Sequence, residues 1–173
     1  MLIVVLQLYR ACIFVTELIT IQTNIMNYTD KVGNKLNALL EKNYDAEAGY
    51  KLAAEKVQNM RLKEFFKTQT QERYNFGHEL KEELKSFGQE PDKGTSIKGD
   101  LHRTWMNIKS TFTSDNEEAI LEEAIRGEKA AIEEYNEIIS ETTLPPSTKN
   151  VLTKHRDNIQ TALNRVNAME EMF

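Results

Sequence analysis

Leu36, Leu40, Asn43, Glu47, Tyr50, Ala54 and Val57 advance along the chain by alternating steps of four and three. An α-helix has 3.6 residues per turn, so this alternation keeps one stripe facing a neighbour and favours a left-handed bundle. The spacing predicts a helix from about Asp30 to Gln58, with Thr29 or Asp30 as its N-cap. A second pattern runs from about Arg61 to Phe87 through Leu62, Phe65, Phe66, Phe76, Leu80 and Leu84, with Gly88 placed as a C-terminal cap. A third opens on Asp115 and Glu118, spaced as a capping box, and carries Leu121, Ala124, Ile125, Ala131, Ile132, Tyr135, Ile138 and Ile139 up to Pro145 and Pro146. The fourth, about Ser147 to Glu171, turns Val151, Leu152, Ile159, Ala162, Leu163, Val166 and Met169 inward. Only 7 Gly and 3 Pro occur in 173 residues, too few turn formers for a sheet fold, so the class is all-α.

Two or three residues join the first two helices, which makes them antiparallel neighbours. Gln89 to Ser114 separates the second from the third and contains an amphipathic stretch, Ile97 to Phe112, with Leu101, Trp105 and Ile108 on its apolar side. A helix of about 25 residues is about 38 Å long, so a connection of this length can return along the whole bundle. Short, long, short is the connectivity of a ferritin-like four-helix bundle whose long crossover contains a short extra helix. A decorated loop is the alternative.

That domain is expected over 26–173. Residues 1–25 differ, since 17 of them are apolar. They fit a misassigned start upstream of Met26, an accessory helix or strand packed on the domain, or a membrane anchor. An anchor must carry Arg10 and Glu17 in its span, at roughly 2.5–3.5 kcal/mol each. The single Cys12 excludes an internal disulfide, so a reducing, cytoplasmic setting is expected. A net charge of -5 without a basic run does not suit nucleic acid. A homo-oligomer or a protein partner is expected instead.

Leu36, Leu39, Leu40, Asn43, Ala46 and Tyr50 recur 85 positions later as Leu121, Ala124, Ile125, Glu128, Ala131 and Tyr135. Asp45, Gly49, Tyr50, Ala53, Ala54 and Glu55, then Leu101, His102, Arg103, Trp105 and Met106, then Gly127 and Glu128 carry a closer likeness. On these residues, from about Lys35 to Val166, the chain resembles the bacterial ferritin-like four-helix-bundle family catalogued as domain of unknown function 2383. The resemblance implies that fold and a role in stress physiology, with no established reaction.

A carboxylate-bridged dinuclear site needs about four carboxylates and two imidazoles, the latter from Glu-x-x-His on the second and fourth helices. Here Glu72 is followed by Asn75, the fourth helix has Gln160 and Leu163, and the first has Asn43 in place of Glu. A polar layer remains on the seams: Asn43, Glu47, Gln69, Glu72, Glu128 and His155, with Tyr50 and Tyr135 beside it. Buried carboxylates need a counter-charge, because each unpaired one costs several kcal/mol. Three arrangements satisfy this. The layer can be a metal-free network bonded to Asn43, Gln69, Arg73 or the tyrosines. It can be a weak mononuclear iron or manganese site of Glu47, Glu72, Glu128 and His155. Alternatively, Glu47 or Glu72 can turn to the rim and leave Glu128 alone inside. Without metal, Glu128 would be a charge the interior disfavours, so Glu128→Gln is expected to be neutral or stabilising.

His78 and His102 read as surface contacts. Gly49, Gly77 and Gly127 inside long helices suggest close backbone approach or room for a neighbour. No nucleophile motif or phosphate loop is present. The expected function is a non-catalytic structural, self-associating or partner-binding bundle without a cofactor. The alternative is a divergent metal-dependent oxidase or iron or manganese store.

Overall fold

The computed structural model describes residues 2–91, 117–141 and 143–171. Four helices account for most of them: α1, Leu2–Lys56; α2, Met60–Ser86; α3, Glu117–Glu141; and α4, Pro146–Glu170. The extra helix expected over Ile97 to Phe112, with Trp105, and the capping residue Asp115 lie outside the described residues.

Local chemistry sets the ends of α2. Asn59 Oδ1 accepts the N–H groups of Arg61 (2.9 Å) and Leu62 (3.4 Å), which have no partner inside the helix. At the other end Gly88 adopts φ 68°, a conformation that a Cβ disfavours, and donates to Lys85 O at 2.9 Å while Gln89 donates to Leu84 O at 3.0 Å. Pro146 begins α4, where its missing N–H removes nothing.

Inter-helix contacts give the directions. On α1, Tyr50 stacks on Phe66 (centroids 6.0 Å apart) and Asp30 accepts from Gln89 (2.9 Å), so α1 and α2 are antiparallel. Glu117 accepts the backbone N–H groups of Gln58 (2.5 Å) and Asn59 (2.8 Å), whereas Tyr28 donates to Thr143 O at 2.6 Å. The chain from α3 onward therefore also runs antiparallel to α1. Hence α2 and α3 point the same way, and the chain between Ser86 and Glu117 must travel back along the bundle. That is the one-crossover topology of a ferritin-like bundle. Thr148 donates to Glu83 (2.6 Å), which fixes α4 antiparallel to α2.

The core has two apolar parts. One gathers Val57, Leu62, Phe65, Phe66, Ile120, Leu121 and Val166; the other gathers Val32, Leu36, Leu39, Phe76, Leu80, Leu84, Leu152 and Ile159.

The first helix departs from expectation. It does not begin at Thr29 or Asp30 but continues unbroken from Leu2. No Gly or Pro interrupts residues 2–32, and Thr29, the expected cap, turns its hydroxyl back to Met26 O at 2.9 Å. Thr16, Thr20 and Thr23 make the same backward bond to the carbonyl four residues earlier, so the polar side chains do not end the helix. Residues 12–27 are exposed and do not pack on the bundle. The segment projects from it by about 1.5 Å per residue. Among the described residues, no helix is long and apolar enough to cross a membrane.

Candidate functional site

Among the described residues, six polar side chains are buried inside the bundle: Asn43, Gln69, Arg73, Glu128, Thr148 and His155. Asn43, Arg73, Glu128, Thr148 and His155 each meet a partner on another helix, and Asn43, Arg73, Glu128 and His155 join with Tyr50 and Tyr135 in a continuous chain, whereas Thr148 bonds separately to Glu83. Tyr50 donates to Glu128 Oε1, and Arg73 Nη2 donates to Glu128 Oε2 in a buried ion pair. Arg73 Nη1 approaches Asn43 Oδ1 at 3.5 Å. Asn43 donates from Nδ2 to Tyr135 Oη (3.0 Å) and to Leu39 O (2.8 Å). Tyr135 is 3.2 Å from His155 Nδ1, and His155 Nε2 is 3.0 Å from Glu79, which also holds Lys154 at 2.8 Å.

The electrostatics of this chain are internally consistent. Burial pushes Tyr50 well above the usual phenol value, reinforced by the Glu128 charge. Burial likewise raises Tyr135, to about 12. Burial opposes the charge on Arg73, but Glu128, Tyr50 and Tyr135 together outweigh it and hold the guanidinium above its ordinary value. His155 is pulled down to about 4 by burial, against the opposing pull of Glu79. A neutral ring accepts at Nδ1 from Tyr135 and donates from Nε2 to Glu79. Burial would raise Glu79, yet its bonds from Lys154 and His155 hold it low. Near neutral pH Tyr50, Tyr135 and His155 stay neutral while Arg73 and Glu79 stay charged. The network can therefore fix helix register, and it contains no activated nucleophile.

The expected site residues separate into two groups. Asn43, Tyr50, Glu128, Tyr135 and His155 come together in the network. Glu47 is half-buried and takes no part in it. Glu72 is also half-buried; burial raises its carboxyl, Arg73 and Arg165 oppose this, and Gln69 hydrogen-bonds to it. Of the three arrangements the contacts fit the hydrogen-bonded network, in which Arg73 supplies the counter-charge of Glu128; the Glu128 charge is therefore matched, contrary to the premise behind a benign Glu128→Gln. Glu79 was missed as the partner of His155. Arg73, named from sequence among the possible partners, interrupts the apolar stripe of α2 between Gln69 and Phe76.

Metal ligation does not suit this arrangement. Both oxygens of Glu128 are engaged, one by a fixed cation that repels a second, and His155 faces Tyr135 and Glu79 instead of a carboxylate cluster. Among the described residues, no three His, Cys, Asp or Glu side chains are grouped to hold an ion.

Comparison with known proteins agrees with the topology. The family model described as domain of unknown function (DUF2383) matches residues 31–141. No curated protein matches. Three solved structures are similar in fold. One is an Anabaena variabilis two-domain protein with DJ-1/ThiJ/PfpI-like and ferritin-like domains (TM-score 0.69, 13% identity, 83% of this chain), of which this chain spans 40%. Another is a mutant of Mycobacterium smegmatis Dps1 (0.68, 17%, 83% of this chain and 97% of that one). The third is a dodecameric thioferritin, the bacterioferritin-related protein from Bacteroides fragilis (0.60, 18%, 86% and 95%).

Proposed function

Since the chain belongs to the DUF2383 family, whose description assigns no activity, we propose from its own residues that it is a non-catalytic, metal-free ferritin-like bundle that works by self-association. The observation that carries this reading is the Arg73–Glu128 pair, a protein cation beside the buried carboxylate. Neutralised in this way, Glu128 needs no bound ion, and the network around it serves to hold four helices in register.

The associating surface in this reading is the exposed part of α1. Phe14, Leu18, Ile21 and Ile25 continue the four-three stripe of the buried half, and all are exposed. An unpaired apolar stripe of this kind marks a contact surface. Arg10 and Glu17 flank it seven positions apart. Antiparallel pairing of two copies would set Arg10 of each chain beside Glu17 of the partner subunit, twice, so the charges that burden a membrane reading become cross-pairs. The similar Bacteroides fragilis protein is dodecameric, which is in keeping with assembly.

Light scattering on the full chain tests the association. Assembly is expected for the wild type and a lower mass for Leu18→Ser with Ile21→Ser; a wild-type monomer would sink the reading. Elemental analysis after growth with added iron and manganese tests the other half. Stoichiometric metal that lowers stability on chelation would overturn the metal-free assignment.

A further inference from the structure

The exposed part of α1 carries a second apolar stripe beside the first. Phe14, Leu18, Ile21 and Ile25 follow steps of four and three; Cys12, Val15, Ile19, Gln22 and Met26 follow steps of three and four, with Gln22 as the polar member. Val15, Ile19, Gln22 and Met26 each come directly after a member of the first stripe, so the two stripes are turned about 100° apart around the helix. Both face solvent in the single chain. Val15 is 52%, Ile19 61% and Met26 55% exposed, as open as Leu18 and Ile21. Of the large apolar side chains exposed over residues 12–26, only Ile13 lies off both stripes.

The borders of the two stripes differ. Arg10, Glu17 and Asn24, spaced by seven, run beside the first stripe on the side away from the second. Thr16 and Thr23 run beside the second, and their hydroxyls are already bonded to Cys12 O and Ile19 O at 2.9 Å. Thr20, bonded to Thr16 O, lies between the two borders. Charge therefore marks one stripe and not the other.

A two-stranded coil buries one stripe of each helix. Pairing through Phe14, Leu18, Ile21 and Ile25 alone would leave Val15, Ile19 and Met26 in water. A helix with two neighbours buries two stripes, and their separation follows the directions of those neighbours: about 60° in a three-stranded coil, about 90° in a square of four. The separation found on α1 fits the square.

We propose, resting on the self-association described above, that four copies join through residues 12–26 as an antiparallel four-helix bundle. The first stripe closes each pair, with Arg10 and Glu17 cross-paired along its border. The second stripe joins pair to pair. The threonine arc stays outside, where hydroxyls bonded to their own backbone need no further partner.

Sedimentation equilibrium on the full chain should give about four times the 20.0 kDa of one chain. Val15→Gln with Ile19→Gln keeps good helix formers on α1 and should halve that mass. Cys12, the single cysteine, is exposed in one chain but stands on the second stripe, so Ellman's reagent should react at least tenfold more slowly with the wild type than with the double variant. A dimeric or trimeric wild type would overturn the four-copy bundle and leave self-association standing, whereas a monomer would remove both. Unchanged mass in the double variant would place the assembly on another surface and overturn the proposal. Flotation of the wild type with phosphatidylcholine vesicles, and no assembly in their absence, would make a lipid surface the occupant of the stripes and overturn it as well.

Discussion

The two halves of α1 share one helix and one stripe but have opposite surroundings. From Tyr28 to Val57 the stripe is Tyr28, Val32, Leu36, Leu39, Asn43, Ala46, Tyr50, Ala53 and Val57, mostly buried against α2 and α3. From Phe14 to Ile25 the same four-three steps continue through Leu18 and Ile21 in solvent; Phe14 is 62% exposed. Helical periodicity therefore does not by itself mean burial. What differs is whether a neighbour is present: α2 stops at Ser86 before the Gly88 turn, and among the described residues Tyr28 with Phe87 and Thr143 marks the last level at which the helices meet.

Charge gives the largest contrast between the halves. Glu128→Gln should destabilise the bundle by about 3–5 kcal/mol, because it leaves Arg73 buried without its counter-charge. This reverses the benign outcome expected from sequence. Glu17→Gln, on the exposed half, should change monomer stability by less than about 0.5 kcal/mol. Urea unfolding measures both. Replacing the whole pair, Arg73→Met with Glu128→Leu, should recover most of the loss; a double variant as weak as the single one would show that the network needs its charges.

Apolar truncation sharpens the same contrast. Leu36→Ala should cost about 2–5 kcal/mol, since the side chain is fully buried. Leu18→Ala should barely move unfolding under conditions that keep the chain monomeric. A comparable loss at both sites would mean that the exposed half is covered in solution, and light scattering would then show by how many copies.

Acid should loosen the buried half alone. His155 titrates at about 4 in the folded protein against an ordinary 6.5. The unfolded chain therefore takes up a proton at a higher pH than the folded one does. Stability is full above about 6.5 and falls as the pH drops toward 4, by on the order of 3 kcal/mol. Unfolding across that window checks the slope, which should become shallower in His155→Ala, with the carboxylates Glu79 and Glu72 setting what remains. The smallest effect is at Gly49, where Ala meets open space and should raise stability by up to about 1 kcal/mol. A loss there would mean that the backbone or a covering segment needs the glycine.

Much of the architecture is legible in the sequence. The four-three stripes, the Gly88 stop and the lengths of the connections suffice for four helices with one crossover, because periodicity and caps are local properties. The candidate site was half legible. Asn43, Tyr50, Glu128, Tyr135 and His155 stand on stripes where apolar residues belong, so their presence in a layer could be read from spacing. Their pairing could not. Glu72 and Glu47 occupy similar stripe positions, yet only Glu128 goes fully inside, and spacing cannot rank them.

The chain alone determined that the protein is a helical bundle, that Asn75, Gln160 and Leu163 break the ligand pattern of a dinuclear centre, and that a polar layer crosses the core. Only the tertiary structure decided that Arg73 neutralises Glu128, that Glu79 takes His155, and that residues 12–27 of α1 run on uncovered. The reason is physical. Helix formation depends on neighbours three and four residues away, whereas each of these outcomes depends on which side chains from distant segments meet across an interface, and on where those segments end.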